Sequence, residues 1–357
     1  MRATRTILVC VSLAGLAHVP CCATEPLKHS GAAIVAPDAP LELLYTRTAP
    51  IQGGLTEGPA VAPDGSVYFS DIPEGRDKGL IVRCDPRTKA ITIFAEDSHK
   101  SNGLKFDAQG DLVACEGADF GGRCIARWNR KTGQRTIIAD RYQGKRFNAP
   151  NDLCLDRQGR IYFSDPKYLG AEPRELEYRA VYRIDAGGQV VEVTHEIEKP
   201  NGLVLSPDER WLYVADHNNG TDQIDANAPQ PQRGAMKIYA FPLGADGLVS
   251  GPRQTLLDFG SEPGCDGMTV DSAGNIYLTA RSPRRPGVLI IDAHGHEIAF
   301  IATGPSQPGA KEPVGLPSNL AFGIGDDSST LYITIDKSLY RIGLKSRGFP
   351  RFSAKPG

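Results

Sequence analysis

Short apolar runs alternate with polar turns along almost the whole chain, and no stretch has the sustained period of a helix. One phrase recurs six times. In each copy an Asp, Asn or Glu opens an apolar run, a polar turn follows, and an extended apolar strand ends the unit. The opening residues are Glu57, Asn102, Asn151, Asn201, Asp266 and Asn319. A repeat of roughly 45 to 65 residues is typical of folds that stack one supersecondary unit around an axis.

Each repeat also contains a hairpin after its opening phrase. Residues 80–84 and 90–95, for example, flank a polar turn that contains Asp85 and Pro86. Turn residues that separate short runs rich in β-branched and aromatic residues indicate antiparallel strands. Four strands per repeat predict an all-β fold, a six-bladed β-propeller. The last repeat lacks its fourth strand, and we expect residues 41–45 to supply it and so to close the ring.

The first 23 residues differ from the rest of the chain. Arg2 and Arg5 precede an apolar run, and small residues at Cys21-Cys22-Ala23 suit a cleavage site. This order predicts a secretory signal peptide and a secreted or periplasmic protein. The chain is therefore divided into a signal peptide 1–23, a flexible N-terminal segment 24–40, the propeller 41–345 and a C-terminal tail 346–357.

Charge and cysteine content narrow the chemistry. The net charge is −2 and there is no basic cluster, so neither nucleic acid nor a membrane is expected as a partner, and we expect a monomer or weak dimer. Five cysteines follow the signal peptide, and no CxxC pair indicates zinc or redox chemistry. Cys115 and Cys124 flank a Gly-rich turn. They either form a disulfide across a hairpin or are small buried residues like the others.

The six opening side chains are expected to converge, because the first residues of the innermost strands line the channel of a propeller. Asn and Asp are poor strand formers, so they either cap the channel or bind a ligand there. Carboxylate and amide oxygens suit calcium, with magnesium, manganese or zinc as alternatives. His99 and His217 lie near axial segments but fill no repeated position. The polar loops 169–180 and 217–235 are either rims over one face or flexible decoration.

Four phrases carry a family resemblance: Glu57-Gly58-Pro59, Asn148-Ala149-Pro150-Asn151-Asp152, Lys199-Pro200-Asn201-Gly202-Leu203 and Cys265-Asp266-Gly267-Met268. In this order, across residues 50–342, the chain resembles the gluconolactonase family, which includes senescence marker protein (regucalcin) and luciferin-regenerating enzyme. The resemblance implies a six-bladed propeller with one divalent metal, usually calcium, at the axis. It implies that Glu57, Asn201 and Asp266 are metal ligands. Asn151 matches an axial Asn that binds substrate and, in related phosphotriesterase propellers, the metal as well.

The resemblance also implies a reaction, the metal-dependent hydrolysis of a small lactone, with an aldonolactone such as gluconolactone as the expected substrate. Asp266 is the expected general base, and Asn102 and Asn151 are expected to hold the substrate. The family's substrate-contacting arginine lies two residues before Asn151, where this chain has Ala149, and Arg146 is the candidate replacement. Two alternatives are a phosphotriesterase or arylesterase on the same metal site, and a non-catalytic metal-stabilised propeller that binds a sugar or a protein.

Overall fold

The structure, a computed structural model, describes residues 27–48, 54–222 and 232–349. Within these ranges the regular structure is almost entirely β-strand, and the helical part is a single 3-10 turn, Gly325–Asp327. No helix in the same ranges is long and apolar enough to cross a membrane. The signal peptide expected over residues 1–23 lies outside the described residues.

The strands form six antiparallel sheets of four strands and one short hairpin within the described ranges. The first thirteen strands are β1 (Glu42–Thr46), β2 (Leu55–Val61), β3 (Val67–Ile72), β4 (Leu80–Asp85), β5 (Ala90–Ala95), β6 (Ser101–Phe106), β7 (Leu112–Glu116), β8 (Cys124–Trp128), β9 (Arg135–Ala139), β10 (Arg141–Tyr142), β11 (Lys145–Arg146), β12 (Leu153–Leu155) and β13 (Ile161–Asp165). The others are β14 (Ala180–Ile184), β15 (Val190–Thr194), β16 (Pro200–Leu205), β17 (Trp211–His217), β18 (Met236–Pro242), β19 (Gln254–Asp258), β20 (Cys265–Val270), β21 (Ile276–Ala280), β22 (Gly287–Ile291), β23 (Glu297–Ala302), β24 (Pro317–Phe322), β25 (Thr330–Ile335) and β26 (Ser338–Gly343).

Each sheet is one blade, and the predicted six-bladed propeller is confirmed. Blade 1 is β2–β5, blade 2 is β6–β9, blade 3 is β12–β15, blade 4 is β16–β19 and blade 5 is β20–β23. Blade 6 contains β24, β25 and β26, and its outermost strand is β1 from the start of the chain. β1 pairs antiparallel with β26, with Leu43 opposite Tyr340. The predicted closure by the N-terminal strand is therefore confirmed, and it pairs the free edge of β26.

Burial falls from the axis outward within each blade. Every residue of β3, β7, β13 and β21, the second strands of their blades, is buried. In the outermost strands β5 and β9 every residue except Ala95 is exposed or half-buried. The second strands are covered by neighbouring blades on both faces, so they are apolar without the alternation of a half-exposed strand. The core thus lies between blades; Val113 of blade 2, for example, packs in one cluster with Phe163 of blade 3.

Residues 27–40, the described part of the N-terminal segment, lie against blades 5 and 6. Ser30 bridges to Phe300, and Ile34 and Val35 belong to the apolar cluster that joins these two blades. Val35 has no exposed surface. Each of these two buried aliphatic side chains contributes roughly 1.5 to 3 kcal/mol, and backbone hydrogen bonds from Ser30 to Phe300 and from Lys345 to Ile34 add to the attachment.

Cys115 and Cys124 do not form a disulfide. Both are buried thiols, and they occupy neighbouring positions in the hairpin: Cys115 lies opposite Ile125, and Cys124 lies opposite Glu116. Side chains one position apart along a strand point to opposite faces of the sheet, so the two sulfurs are separated by the sheet itself. The Sγ of Cys124 instead donates to Oε2 of Glu116 at 3.2 Å. The reading of these cysteines as small buried residues is the correct one.

Candidate active site at the propeller axis

A backbone irregularity places the opening side chains at the axis. In blades 1, 2, 4 and 5 the pairing of the innermost strand with the second strand shifts register next to the opening residue. In blade 4 the shift falls between Pro200 and Leu203, around Asn201. A bulge inserts an extra residue, bends the strand and re-aims its side chain. In blades 2, 4 and 5 the opening residue lies inside the irregularity, and in blade 1 Glu57 is the last paired residue before it, opposite Ser70. The local bend therefore lets a poor strand former open these innermost strands.

Glycine follows the opening residue in four blades, and the structure requires it there. A Cβ on Gly58 would overlap the carbonyl oxygen of Asn102 in the next blade, and a Cβ on Gly202 would overlap that of Asp266. A Cβ on Gly103 would likewise crowd the carbonyl oxygen of Asn151, to which the Gly103 N–H donates at 2.8 Å. These missing side chains let adjacent innermost strands approach each other, and so bring the opening residues of neighbouring blades together.

The expectation for blade 6 is wrong by one residue. Leu320 pairs with the second strand as Leu203 and Met268 do in their blades, so the residue equivalent to Asn201 and Asp266 is Ser318. Its hydroxyl donates to the carbonyl oxygen of Thr56 in blade 1, at 2.6 Å. Asn319 occupies the position that is glycine in blades 1, 2, 4 and 5.

Asp152 of blade 3 shares that glycine position with Asn319. Both are buried, and each bonds the backbone N–H of the next residue, at 2.8 Å. Asn319 Nδ2 also donates to Asp152 Oδ2 at 3.3 Å. The glycines of the preceding blades make room for them, because a Cβ on Gly103 would overlap Asp152 and one on Gly267 would overlap Asn319. Asp152 is thus an axial carboxylate that directly follows the opening residue Asn151, and the repeat itself does not indicate it.

The axial acids repel one another. Glu57 is buried, with its Oε2 accepting from the N–H of Gly58 at 2.9 Å. Burial, and then the nearby carboxyls of Asp266 and Asp152, hold the pKa of Glu57 well above its usual range. Burial also raises the pKa of Asp266, against the opposing effects of Arg281 and Asn201. Such a cluster favours either protonation or a bound cation.

Arg281 is a cation at this site that the sequence did not single out. It follows β21 directly, and its Nη1 lies 3.2 Å from Asp266 Oδ2. The same nitrogen donates to the carbonyl oxygen of Pro317 at 3.1 Å, which ties blade 5 to blade 6. In the sequence, only its place one residue beyond the second strand of its blade could have indicated it, since the other repeats have no arginine at that place.

Asn201 and His217 are connected through Tyr168, a second residue that the sequence did not indicate. Nδ2 of Asn201 donates to the Tyr168 hydroxyl at 3.1 Å, and this hydroxyl donates to the carbonyl oxygen of His217 at 3.0 Å. The His217 ring donates from Nδ1 to the carbonyl oxygen of Cys265 at 3.0 Å. Burial lowers the pKa of His217 to about 4, so the ring is neutral near neutral pH. His99, by contrast, lies beside Trp128 of blade 2, with 6.3 Å between ring centroids.

The proposed substrate-binding residues lie toward blades 2 and 3. Asn151 is buried, and the Oδ1 of Asn102 is buried with no hydrogen-bond partner among the described residues. Arg146 lies on β11, where its Nη2 donates to the carbonyl oxygen of Gly122 at 2.6 Å, while its buried Nε has no partner in the described part of the chain. These contacts hold Arg146 in the loops above blades 2 and 3. Its role in substrate binding remains a prediction.

The two long loops contact each other. Asp222, in the described part of loop 217–235, pairs with Arg174 at 2.9 Å and with Arg179 at 2.6 Å, both in loop 169–180. Lys167 adds a bond from its ammonium to the carbonyl oxygen of Asp222, at 2.8 Å. The loops therefore form one ion-paired rim beside Tyr168. Residues 223–231 of the second loop lie outside the described residues.

The donor set at the axis fits a hard divalent cation only if amides take part. Among the described residues no group of three or more His, Cys, Asp and Glu side chains is arranged to hold a metal. Glu57 and Asp266 supply the carboxylates, so Asn201 and Asn151 would have to supply amide oxygens. Calcium accepts such neutral oxygens, whereas zinc prefers histidine and cysteine. The mutual repulsion of Glu57 and Asp266 is what a cation would relieve.

Known proteins place this arrangement in a family. A family model described as the SMP-30/Gluconolactonase/LRE-like region matches residues 55–337. The chain is 30% identical to the gluconolactonase of Zymomonas mobilis over 313 residues, 82% of this chain and 79% of that one. A solved gluconolactonase from Xanthomonas campestris is 27% identical, with a TM-score of 0.69 over 90% of this chain and 96% of that one.

A more distant solved structure shares the fold. The calcium-binding protein regucalcin from Agrobacterium tumefaciens is 18% identical, with a TM-score of 0.65 over 89% of this chain and 98% of that chain. The propeller fold of this chain, its axial phrases and the family match over residues 55–337 all indicate the same family. The chain belongs to the SMP-30/gluconolactonase/LRE-like family.

Proposed function

We propose that this protein is a lactonase, a hydrolase that opens the ester ring of a small lactone, and that its substrate is an aldonolactone such as gluconolactone. The observation that carries the proposal is the convergence of Glu57, Asp266 and Asn201 at the axis, in a chain of this family. The names of the Zymomonas mobilis and Xanthomonas campestris relatives support the same substrate class.

We propose that the reaction depends on a divalent metal, with calcium as the preferred ion. Glu57, Asn151, Asn201 and Asp266 would hold it. When bound, it supplies Lewis-acid polarisation of the ester carbonyl and charge stabilisation for the developing oxyanion. The unpartnered Oδ1 of Asn102 and the surplus negative charge around Glu57 support an oxygen-lined cation and substrate site among the described residues.

The residues of the chain perform the proton transfers. Asp266 is the general base: a carboxylate oxygen takes a proton from a water molecule as the water oxygen bonds to the lactone carbonyl carbon. The ring C–O bond then breaks, and the same proton goes from Asp266 to the leaving alkoxide, so the product is the open hydroxy acid. Arg281 holds the Asp266 carboxylate through the 3.2 Å ion pair. Asn102, Asn151 and Arg146 hold the hydroxyl groups and the carbonyl of the substrate.

A hydrolase screen of the purified protein tests reaction class and metal together. Gluconolactone, an aliphatic lactone, an aryl ester and a phosphotriester are each assayed with calcium, magnesium, manganese, zinc or a chelator. We expect turnover of gluconolactone, its loss with chelator and its recovery with calcium. Faster turnover of the phosphotriester or the aryl ester would reassign the reaction, and tight sugar binding without turnover would make the protein a binding propeller.

Two variants test the site itself. Asp266→Ala and Asn201→Ala are each expected to abolish metal binding and nearly all turnover while the protein stays folded, because each removes one oxygen ligand. Circular dichroism checks the fold and calorimetry checks the metal. Full activity in either variant, or in metal-stripped protein, would refute the mechanism.

We also propose that the protein is exported. The support is the order of Arg2, Arg5, the apolar run and Cys21-Cys22-Ala23 at the N-terminus. Mass spectrometry of the protein recovered from a secreting bacterial host should find a mature chain that starts near residue 24. An intact N-terminus in the cytoplasmic fraction alone would overturn this.

A further inference from the structure

Tyr168 is a loop residue whose hydroxyl lies behind Asn201. It follows β13, and its ring is held from two sides. The Lys199 ammonium lies 4.1 Å from the ring centroid, and the His217 ring packs edge-on with 6.2 Å between centroids. The hydroxyl is therefore fixed in place by two residues of blade 4, the same blade that carries Asn201.

The hydrogen bonds of this hydroxyl have a defined direction. A phenol has one proton, and the carbonyl oxygen of His217 can only accept, so the Tyr168 proton goes to His217 at 3.0 Å. Toward Asn201 the phenol oxygen must then accept, which requires the NH₂ end of the amide to face it, at 3.1 Å. The Asp266 carboxylate, which can only accept, also bonds the Asn201 side chain, so Tyr168 and Asp266 together decide which end of the amide is nitrogen. Oδ1 is the end left to act as a ligand.

The same network reaches the next blade. His217 receives the Tyr168 proton at its backbone carbonyl and donates from its ring to the carbonyl oxygen of Cys265, at 3.0 Å. Cys265 directly precedes Asp266. Tyr168 and His217 therefore brace the opening residues of blades 4 and 5 from outside the channel.

We infer that Tyr168 is a positioning residue that turns the Asn201 amide so that its oxygen is presented to the divalent cation. This rests on the metal site of the proposed function. Residues that orient a ligand from outside are needed for metal affinity, because a misoriented amide presents N–H groups, which repel a cation. Tyr168 touches neither the cation nor the substrate in this account.

The test compares Tyr168→Phe with Tyr162→Phe as a matched control. Tyr162 is buried whereas Tyr168 is half-buried, but the Tyr162 hydroxyl likewise donates to a backbone carbonyl, that of Gly247 at 2.8 Å, and it lies between blades 3 and 4 away from the opening residues. Each variant loses one hydroxyl. Calcium is titrated by calorimetry into the purified, chelator-treated protein. We expect Tyr168→Phe to bind calcium about tenfold more weakly and Tyr162→Phe to bind as the unaltered protein does.

The second part of the test replaces Asn201 with a metal ligand whose orientation does not matter. In Asn201→Asp both ends of the side chain are oxygen, so adding Tyr168→Phe to it should cost no further calcium affinity. Melting temperatures with and without calcium give an independent reading: the gain on adding calcium should shrink only when Asn201 is present and Tyr168 is absent. Both chains that carry Tyr168→Phe share any loss of stability caused by the missing hydroxyl, so the difference between them isolates the effect on the Asn201 amide.

The outcomes separate this inference from the proposed function. If the unaltered protein binds calcium and Tyr168→Phe binds equally well, the positioning role is overturned and the metal site stands. If Tyr168→Phe weakens binding as much in the Asn201→Asp variant as in the chain that retains Asn201, Tyr168 does not act through the amide and the inference fails. If the unaltered protein binds no divalent cation, the metal site fails and the inference fails with it.

Discussion

Asn319 and Asp152 are joined across the propeller axis, with Nδ2 of Asn319 donating to Oδ2 of Asp152 at 3.3 Å. They belong to blades 6 and 3, which are opposite each other in a ring of six. A bond between their innermost strands must therefore cross the channel. Both residues stand at the position that is glycine in the other four blades. Their hydrogen bond spans the channel next to the opening residues.

Asn319→Asp should destabilise the protein at neutral pH. It would set two buried carboxylates against each other across the channel, and we expect a loss of about 3 kcal/mol in the free energy of unfolding. The loss should shrink on acidification, because one of the two carboxyls then takes up a proton. Urea unfolding at two pH values measures both effects.

Exchanging the two residues is the control for that prediction. Asp152→Asn combined with Asn319→Asp restores one carboxylate and one amide, so most of the lost stability should return. If the double variant is as unstable as Asn319→Asp alone, the two side chains do not act as a pair.

Because β1 closes the ring, substitutions at its two adjacent leucines should differ sharply in their effect on the free energy of unfolding. Leu44 is 7% exposed and packs with Val67 and Phe69 of blade 1, whereas Leu43 is 45% exposed. Leu44→Asp should cost about 3 kcal/mol or more, and Leu43→Asp less than about 1 kcal/mol. Thermal or urea unfolding decides this. Equal losses would mean that β1 is held by backbone pairing alone, and deletion of residues 41–49 should then still abolish soluble folding.

Arg281 places a positive charge beside a proposed metal ligand. Replacing it with methionine removes a charge that repels any divalent cation, so Arg281→Met should bind calcium about tenfold more tightly at low salt. Arg281→Lys keeps the charge and should stay near the unaltered affinity. Calorimetry measures the affinity, and weaker binding by Arg281→Met would show that losing the ion pair with Asp266 costs more than removing the repulsive charge gains.

His217 predicts a pH dependence of stability. Burial lowers its pKa from the ordinary 6.5 to about 4, so between these values the unfolded chain binds a proton that the folded chain does not. The stabilisation from a neutral His217 is complete above about pH 6.5 and is lost as the pH falls toward 4. His217→Asn keeps a donor for the Cys265 carbonyl and cannot titrate. Its free energy of unfolding should therefore fall less steeply than that of the unaltered protein over this range.

Most of the fold was predictable because its signals are local. Six repeated phrases and hairpin turns define six blades. The strand missing from the last repeat indicates residues 41–45, and the observed strand lies one residue later, at Glu42–Thr46. The position of Asn319 was mispredicted because an asparagine in a phrase without glycine looks like an opening residue. Aligning Leu320 with Leu203 and Met268 would have indicated that Ser318, not Asn319, is equivalent to Asn201 and Asp266.

The rest of the site depends on contacts between distant segments. Tyr168 lies in a loop of irregular sequence, and its importance comes from Asn201, 33 positions away. Asp152 directly follows Asn151 in the sequence, but only its packing against Gly103 and Asn319 shows that it faces the axis. No repeat period contains such information, because these residues mark where the blades differ from one another.

The pairing of β1 with β26 also bears on the order of events during synthesis. β1 is the first strand of the propeller to be made, and its partner, Ser338–Gly343, is the last. Until the ribosome has passed residue 343, an almost finished ring has two unpaired strand edges, which are templates for association with other chains. We therefore expect a stalled or prematurely terminated chain, which lacks β26, to aggregate more readily than the complete protein.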